Sequence, residues 1–186
     1  MDKNILFFST FLKSPKKIGS VTPSSRFLVK ALLKNIDFKN SKCIAEYGPG
    51  TGCITLEILK KARKDAKILC FETNKKFCSY LNKSINDKRL IIINDSAENI
   101  SKHLNKRGIT KVDFVVSALP FSVLPDKEKL AIIKETRNTL KKNGKFVVYQ
   151  YLNNFKKYLH IYFSDISIKF VPLNMPPAFV YVCENQ

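Results

Sequence analysis

Between Lys42 and Tyr151, short apolar runs alternate with longer segments of helical periodicity. The runs at 42–47, 67–72, 89–94, 112–117 and 145–151 are rich in Ile, Val and Phe and bounded by turn residues, so they predict strands. Helices are predicted between them, at about 53–63, 74–85, 97–106 and 126–142, the last with Leu130, Ile133 and Leu140 on one stripe and Asn143-Gly144 as its stop. Beyond Tyr151 the pattern predicts a helix near 152–160 and strands near 161–171 and 178–183, divided by Pro172, Pro176 and Pro177. With no long helix between them, these two strands should pair as an antiparallel edge. Upstream, Ile5, Phe8, Phe11 and Leu12 recur at helical spacing, with Leu6 and Phe7 widening the face. A turn-rich stretch over 14–23 leads to a second helix, capped by Thr22 or Ser24, with Phe27, Leu28, Ala31, Leu32 and Ile36 as its buried stripe. The expected architecture is α/β, a doubly wound, seven-stranded, mostly parallel sheet with an antiparallel C-terminal edge and an N-terminal helical extension. The natural division is a basic helical segment over 1–41 and an α/β domain over 42–186.

Charge adds a second constraint. The chain has 186 residues, with 33 Lys and Arg against 15 Asp and Glu, a formal net charge of +18. Such a field draws polyanions, either nucleic acid or an anionic membrane surface. In the first segment, Lys13, Lys16 and Lys17 follow the apolar stretch directly, and Arg26, Lys30 and Lys34 follow later. An apolar face flanked by lysines is the pattern of an interfacial helix, and equally of a helix packed on a neighbouring domain. The five cysteines show no C-x-x-C spacing and sit mostly in apolar runs, which suits reduced core thiols in a cytoplasmic protein. His103 and His160 have no metal-type partner at i+3 or i+4, so no metal site is expected. No apolar stretch is long enough to span a bilayer.

In a parallel sheet of this kind, ligands bind beyond the carboxyl ends of the strands. The first strand ends in Glu46-Tyr47-Gly48-Pro49-Gly50-Thr51-Gly52, an E-x-G-x-G-x-G turn running into a helix. The dinucleotide fingerprint G-x-G-x-x-G fails, because Cys53 occupies its third glycine position. Strand two ends in Glu72, where a carboxylate can accept ribose hydroxyls, and strand three in Asn94-Asp95-Ser96-Ala97, where Asp95 can accept from an amino group. Strand four ends in the rigid, apolar Ser117-Ala118-Leu119-Pro120-Phe121.

These four strand ends, in this order, resemble the motifs of class I S-adenosylmethionine-dependent methyltransferases over residues 42–151. The resemblance implies a Rossmann-like methyltransferase sheet, S-adenosylmethionine as donor and S-adenosylhomocysteine as product. It implies a cofactor lining of Glu46, Tyr47, Gly48, Gly50, Gly52, Glu72, Thr73, Asp95, Ser96, Ala97 and Ser117.

The acceptor is not fixed by that fold. Adenine-N6 methyltransferases, including the ribosomal RNA dimethylases, carry Asn, Asp or Ser before x-Pro-aromatic, and the corresponding position here is Ala118, which offers no acceptor oxygen. Gly19 to Arg26, Ser117 to Pro120, Gln150-Tyr151 and Asn174 to Ala178 together resemble the bacterial phospholipid N-methyltransferases over nearly the whole chain. The implied substrate is the head-group amine of phosphatidylethanolamine and its partly methylated products, met at a membrane surface by a peripherally bound, cytoplasmic enzyme, with a monomer favoured. Within that reading, Ser24, Ser25 and Arg26 are candidates for the lipid phosphate, Tyr151 (with Tyr149 and His160 behind it) for handling the ammonium or its proton, and Pro120 and Phe121 for shaping the reacting centre. An RNA adenine methyltransferase is the alternative.

Overall fold

The structure is a computed structural model, and it describes residues 25–186. The predicted segment at 5–12, the turn over 14–23 and Ser24 lie outside the described residues. Strands β1 (Cys43–Tyr47), β2 (Lys67–Phe71), β3 (Leu90–Ile93), β4 (Val112–Ser117), β5 (Leu140–Gln150), β6 (Asp165–Val171) and β7 (Ala178–Glu184) form one sheet. Its order is β3-β2-β1-β4-β5-β7-β6. The pairs from β3 to β5 are parallel, while β7 runs antiparallel to both β5 and β6. The expected antiparallel edge is present, with β7 slotted inside β6. Strand order reverses between β1 and β4, so the crevice beyond these two strands is the place for a ligand.

Helices cover both faces, and the central strands are therefore buried throughout, as in β1. Alternate residues feed two cores. Ala45, Tyr47, Phe71, Val115 and Phe146 pack with Phe121, Phe155 and Leu159 on one face. Ile44, Ile68, Val116 and Val147 pack on the other with helices α1 (Arg26–Leu33) and α2 (Cys53–Lys61). Each fully buried Val, Leu, Ile or Phe side chain contributes about 1.5–3 kcal/mol. Helix α1 thus belongs to the core of the sheet, through Leu28, Val29, Ala31, Leu32 and Leu33.

Helix α3 (Lys75–Ser84) and α4 (Ile100–Asn105), the latter preceded by a short 3-10 turn at Ala97–Asn99, follow prediction within a few residues. Three local readings are corrected. The N-cap of α1 is Ser25, not Thr22 or Ser24: its Oγ accepts from the Leu28 N–H at 3.2 Å, and its own N–H is held by Asn174 Oδ1 at 3.1 Å. Helix α5 (Asp126–Thr139) ends three residues early. Thr136 and Thr139 bond back to the carbonyls of Ile132 and Glu135, which weakens the helix, and Leu140 already pairs with Val112. Asn143, at φ 62°, and Gly144 form an irregularity inside β5, so that Lys145 rather than the next residue in register meets Phe114. The third correction is the stretch 152–160, where only α6 (Lys156–Leu159) is helical, and β6 begins at Asp165.

Candidate active site

The turn between β1 and α2 carries three glycines with left-handed backbone, and two of them show why no other residue serves. A Cβ on Gly52 (φ 87°) would stand 2.7 Å from Leu81 Cδ2, so glycine lets α2 seat against α3. A Cβ on Gly50 (φ 55°) would meet nothing within 4 Å, so this face of the turn opens onto free space. A bare backbone bordering open space at a helix entrance is a cradle for a ligand.

Two carboxylates frame the cradle. Glu72, at the end of β2 and nearly buried, accepts from the Gly50 N–H at 3.2 Å and from the Asn74 N–H at 2.8 Å. Glu46, in β1, is fully buried. Its Oε2 accepts from the Cys70 thiol at 3.4 Å, while its Oε1 and the nearby Thr55 Oγ1 have no hydrogen-bond partner among the described residues. Burial pushes the Glu46 carboxyl up to about 7; the Thr55 hydroxyl, close by but outside hydrogen-bond geometry, and the Cys70 thiol oppose the shift, and the Glu72 charge adds to it. An orphaned buried carboxylate oxygen is costly unless something completes it, and a ligand at the glycine turn is the natural completion.

Tyr47 does not face the cradle. Its ring lies in the core, edge-on to Phe71 with centroids 5.8 Å apart, and its hydroxyl is 3.2 Å from Thr136 Oγ1. Only its backbone reaches the site, as its carbonyl accepts from the Ala118 N–H. Thr73 is exposed beside Glu72. Asp95 stands beyond β3, where Oδ1 accepts from the Ser96 N–H and from Asn99 Nδ2, both at 2.8 Å. Its Oδ2 lies 2.7 Å from His103 Nε2. His103, then Asn99, hold the Asp95 carboxyl down at about 2. Ser96 caps the following turn, and Ala97 is buried.

The strand-four ending is rigid. Ser117 is fully buried and its Oγ accepts from the Leu119 N–H at 3.2 Å. Pro120 (φ −81°, ψ 73°) centres an inverse γ-turn, closed by the Phe121 N–H on the Leu119 carbonyl at 2.9 Å. Gln150, buried at the end of β5, donates from Nε2 to the same carbonyl at 2.8 Å and accepts from the Ser122 N–H at 3.3 Å. Phe121 itself is a core side chain, 4.6 Å centroid to centroid from Phe155. Tyr151 follows β5, half exposed, with its ring edge-on to Tyr149 at 5.7 Å. Partial burial, then the neighbouring Tyr149, push its phenol above the ordinary range, so it keeps its proton at neutral pH. Ser25 and the exposed Arg26 stand at the entrance of α1, tied to the β6–β7 turn through Asn174.

Gln150 and Asn174 enter the sequence only as members of motifs, with no role of their own, and His103 and Thr55 do not appear there as site residues. Polar residues abutting strand ends in apolar surroundings are the signal that could have marked the first two.

A family model described as the methyltransferase small domain matches residues 18–169. The chain belongs to this family, and it is an S-adenosylmethionine-dependent methyltransferase. A relative, the ornithine lipid N-methyltransferase of Singulisphaera acidiphila, is 28% identical over 182 residues, which is 97% of this chain and 95% of its own length. Among solved structures, a precorrin-6y methyltransferase from Geobacter metallireducens superposes with a TM-score of 0.67 at 12% identity, over 86% of this chain and 88% of its own. A Thermus thermophilus 16S rRNA guanine-N2 methyltransferase, in complex with AdoMet and guanosine, gives 0.66 at 18% identity, over 92% of this chain and 45% of its own. These likenesses are of fold.

The residues present fit the donor. The open face at Gly50, the orphaned Glu46 oxygen and the Glu72 carboxylate offer backbone room, a buried acceptor and an acceptor for hydroxyls, in the order the family resemblance implies.

Proposed function

We propose that the protein methylates the head-group amine of a membrane lipid, with phosphatidylethanolamine and its mono- and dimethyl products as substrates, working from the surface of an anionic membrane. The acceptor side of the site carries this reading. The turn after β4 presents Ala118, Leu119 and Pro120, and the hydroxyl just before them, Ser117 Oγ, is buried and accepts from the Leu119 N–H. Such a wall offers no side-chain acceptor to hold an adenine amino group, which speaks against an adenine-N6 acceptor in RNA. It suits an amine that must arrive uncharged.

The donor, when bound, supplies an electrophilic methyl carbon next to a positive sulfur. The chain supplies position. Gln150 and Ser117 lock the Leu119 peptide, so the wall facing the nucleophile has one shape. Deprotonating a lysine-like amine at pH 7 costs about 4 kcal/mol, and an apolar wall lowers that cost by disfavouring the ammonium. Tyr151 keeps its phenol proton and offers a hydrogen-bonding hydroxyl or a ring face for an alkylated ammonium, not a base.

The relative's substrate class supports a lipid amine over nucleic acid and brings ornithine lipid forward beside phosphatidylethanolamine. Ser25, whose oxygen already caps α1, and Arg26 remain the proposed neighbours of a lipid phosphate. The test is transfer of labelled methyl from S-adenosylmethionine to vesicles of phosphatidylethanolamine or of ornithine lipid, in separate reactions. Label in the first supports the reading as stated; label in the second alone moves the substrate to the amino-acid lipid; label in neither overturns it.

A further inference from the structure

The β6–β7 turn inverts the usual arrangement of polar and apolar residues. Asn174 is buried, with Oδ1 on the Ser25 N–H at 3.1 Å and Nδ2 on the Pro176 carbonyl at 2.7 Å. Its neighbours Leu173 and Met175 point outward, 63% and 86% exposed. The buried amide fixes the turn and presents the two apolar side chains to the outside. Turns ordinarily do the opposite, because exposed apolar side chains gain nothing from water.

The turn is not isolated. The Ser25 bond places the entrance of α1 against it, and Phe27, two residues on, is 51% exposed. Phe170, at the end of β6, is 51% exposed and packs on Phe179, which pairs with Gln150 at the end of β5. Leu152, 45% exposed, follows two residues later. All of these lie at the carboxyl end of the sheet, the end that carries the glycine turn and the Ala118–Pro120 wall. Exposed apolar side chains gathered at the end of the sheet where a ligand enters mark an interaction surface.

Charge selects the partner. Arg26, Lys156, Lys157 and Lys169, all exposed, lie on the segments that carry these side chains, in a chain of net charge +18. Exposed apolar side chains with exposed cations beside them, on a strongly basic chain, complement an anionic bilayer, whose acyl region takes the former and whose head groups attract the latter.

We propose that the β6–β7 turn, with Phe27, Phe170 and Leu152, is a membrane-docking face that inserts Leu173 and Met175 into an anionic lipid surface and sets the mouth of the site directly over the head groups. This rests on the reading of the substrate as a lipid. A docked mouth lets the amine reach the wall at Leu119 without the lipid leaving its bilayer.

The test is a full-length double variant, Leu173→Asn with Met175→Asn, compared with wild type in co-sedimentation with vesicles of phosphatidylethanolamine and phosphatidylglycerol. Methyl transfer is measured both to those vesicles and to a short-chain, monomeric phosphatidylethanolamine, and calorimetric binding of S-adenosylmethionine reports folding. The expected result is a loss of vesicle affinity of about tenfold or more, a matching fall in transfer to vesicles, and unchanged donor binding and transfer to the monomeric lipid. Unchanged vesicle binding overturns the proposal, as does a wild-type dimer that the variant converts to monomer while still binding vesicles. An equal loss on monomeric and vesicular lipid overturns it too, by placing the turn in the acceptor pocket. If wild type binds vesicles through this turn but methylates no lipid, the docking face stands and the substrate reading falls.

Discussion

Asp95 and His103 are joined through Oδ2 and Nε2 at 2.7 Å, with the imidazole also edge-on to Phe71 at 5.6 Å between centroids. The carboxylate expected to meet the donor's amino group is therefore already oriented by the protein from one side. His103→Gln should keep the fold, at a cost of about 1 kcal/mol for a half-buried pair, and weaken donor binding several-fold by loosening Asp95. Calorimetry and thermal unfolding check this together. Because the folded Asp95 carboxyl is lowered to about 2, its contribution to stability is full above about pH 3.8 and is lost as the pH falls through 2.

Glu46 shows the opposite sign. Its folded carboxyl is raised from 4.5 to about 7, so the donor-free protein is most stable, as far as this group goes, below pH 4.5, and loses that contribution as the pH rises through 7. The loss is on the order of 3 kcal/mol. Unfolding measured from pH 5 to pH 8 should therefore decline more steeply in wild type than in Glu46→Gln, which has no proton to lose. Parallel curves would show that the buried carboxyl does not titrate there. The same variant should bind donor at least tenfold more weakly, since its orphaned oxygen is part of the cradle.

The glycines separate stability from binding. Gly50→Ala strains a left-handed residue by about 1–2 kcal/mol but meets no atom, so the protein should fold and fail to bind donor as its methyl fills the cradle. Gly52→Ala adds a clash with Leu81 and should lower the unfolding temperature markedly more. The checks are circular dichroism melts and calorimetry on both variants. A Gly50→Ala protein with unaltered affinity would place the donor elsewhere.

Gln150→Ala frees the Leu119 carbonyl and the Ser122 N–H that it now spans. The wall facing the nucleophile should soften, lowering kcat about tenfold or more with donor Kd little changed. Steady-state kinetics alongside calorimetry distinguish this from a folding defect, which would lower both.

Much of this was legible from the chain. Continuous apolar runs mark the central strands because both of their faces are buried, a 3.6 periodicity marks the helices because one stripe of each is, and the carboxyl-end residues Glu46, Glu72 and Asp95 could be placed without coordinates. Boundaries were less visible where tertiary pairing wins over local propensity. At Leu140 a strand partner, Val112, takes residues whose helical pattern continues. Tyr47 and Phe121 read as site residues by adjacency to motifs, whereas a strand's alternation sends Tyr47 to the far core and the γ-turn at Pro120 sends Phe121 inward. The bonds of Gln150 and Asn174 join segments far apart in the chain, and no local pattern encodes such contacts.

Lipid and RNA acceptors compete head to head in a single reaction holding aminophospholipid vesicles, total RNA and S-adenosylmethionine with a labelled methyl group, followed by separation of the organic and aqueous phases. Label should appear in the organic phase, on the head-group nitrogen, and should fall when Gly50→Ala replaces wild type. Label recovered only in RNA would contradict a lipid acceptor.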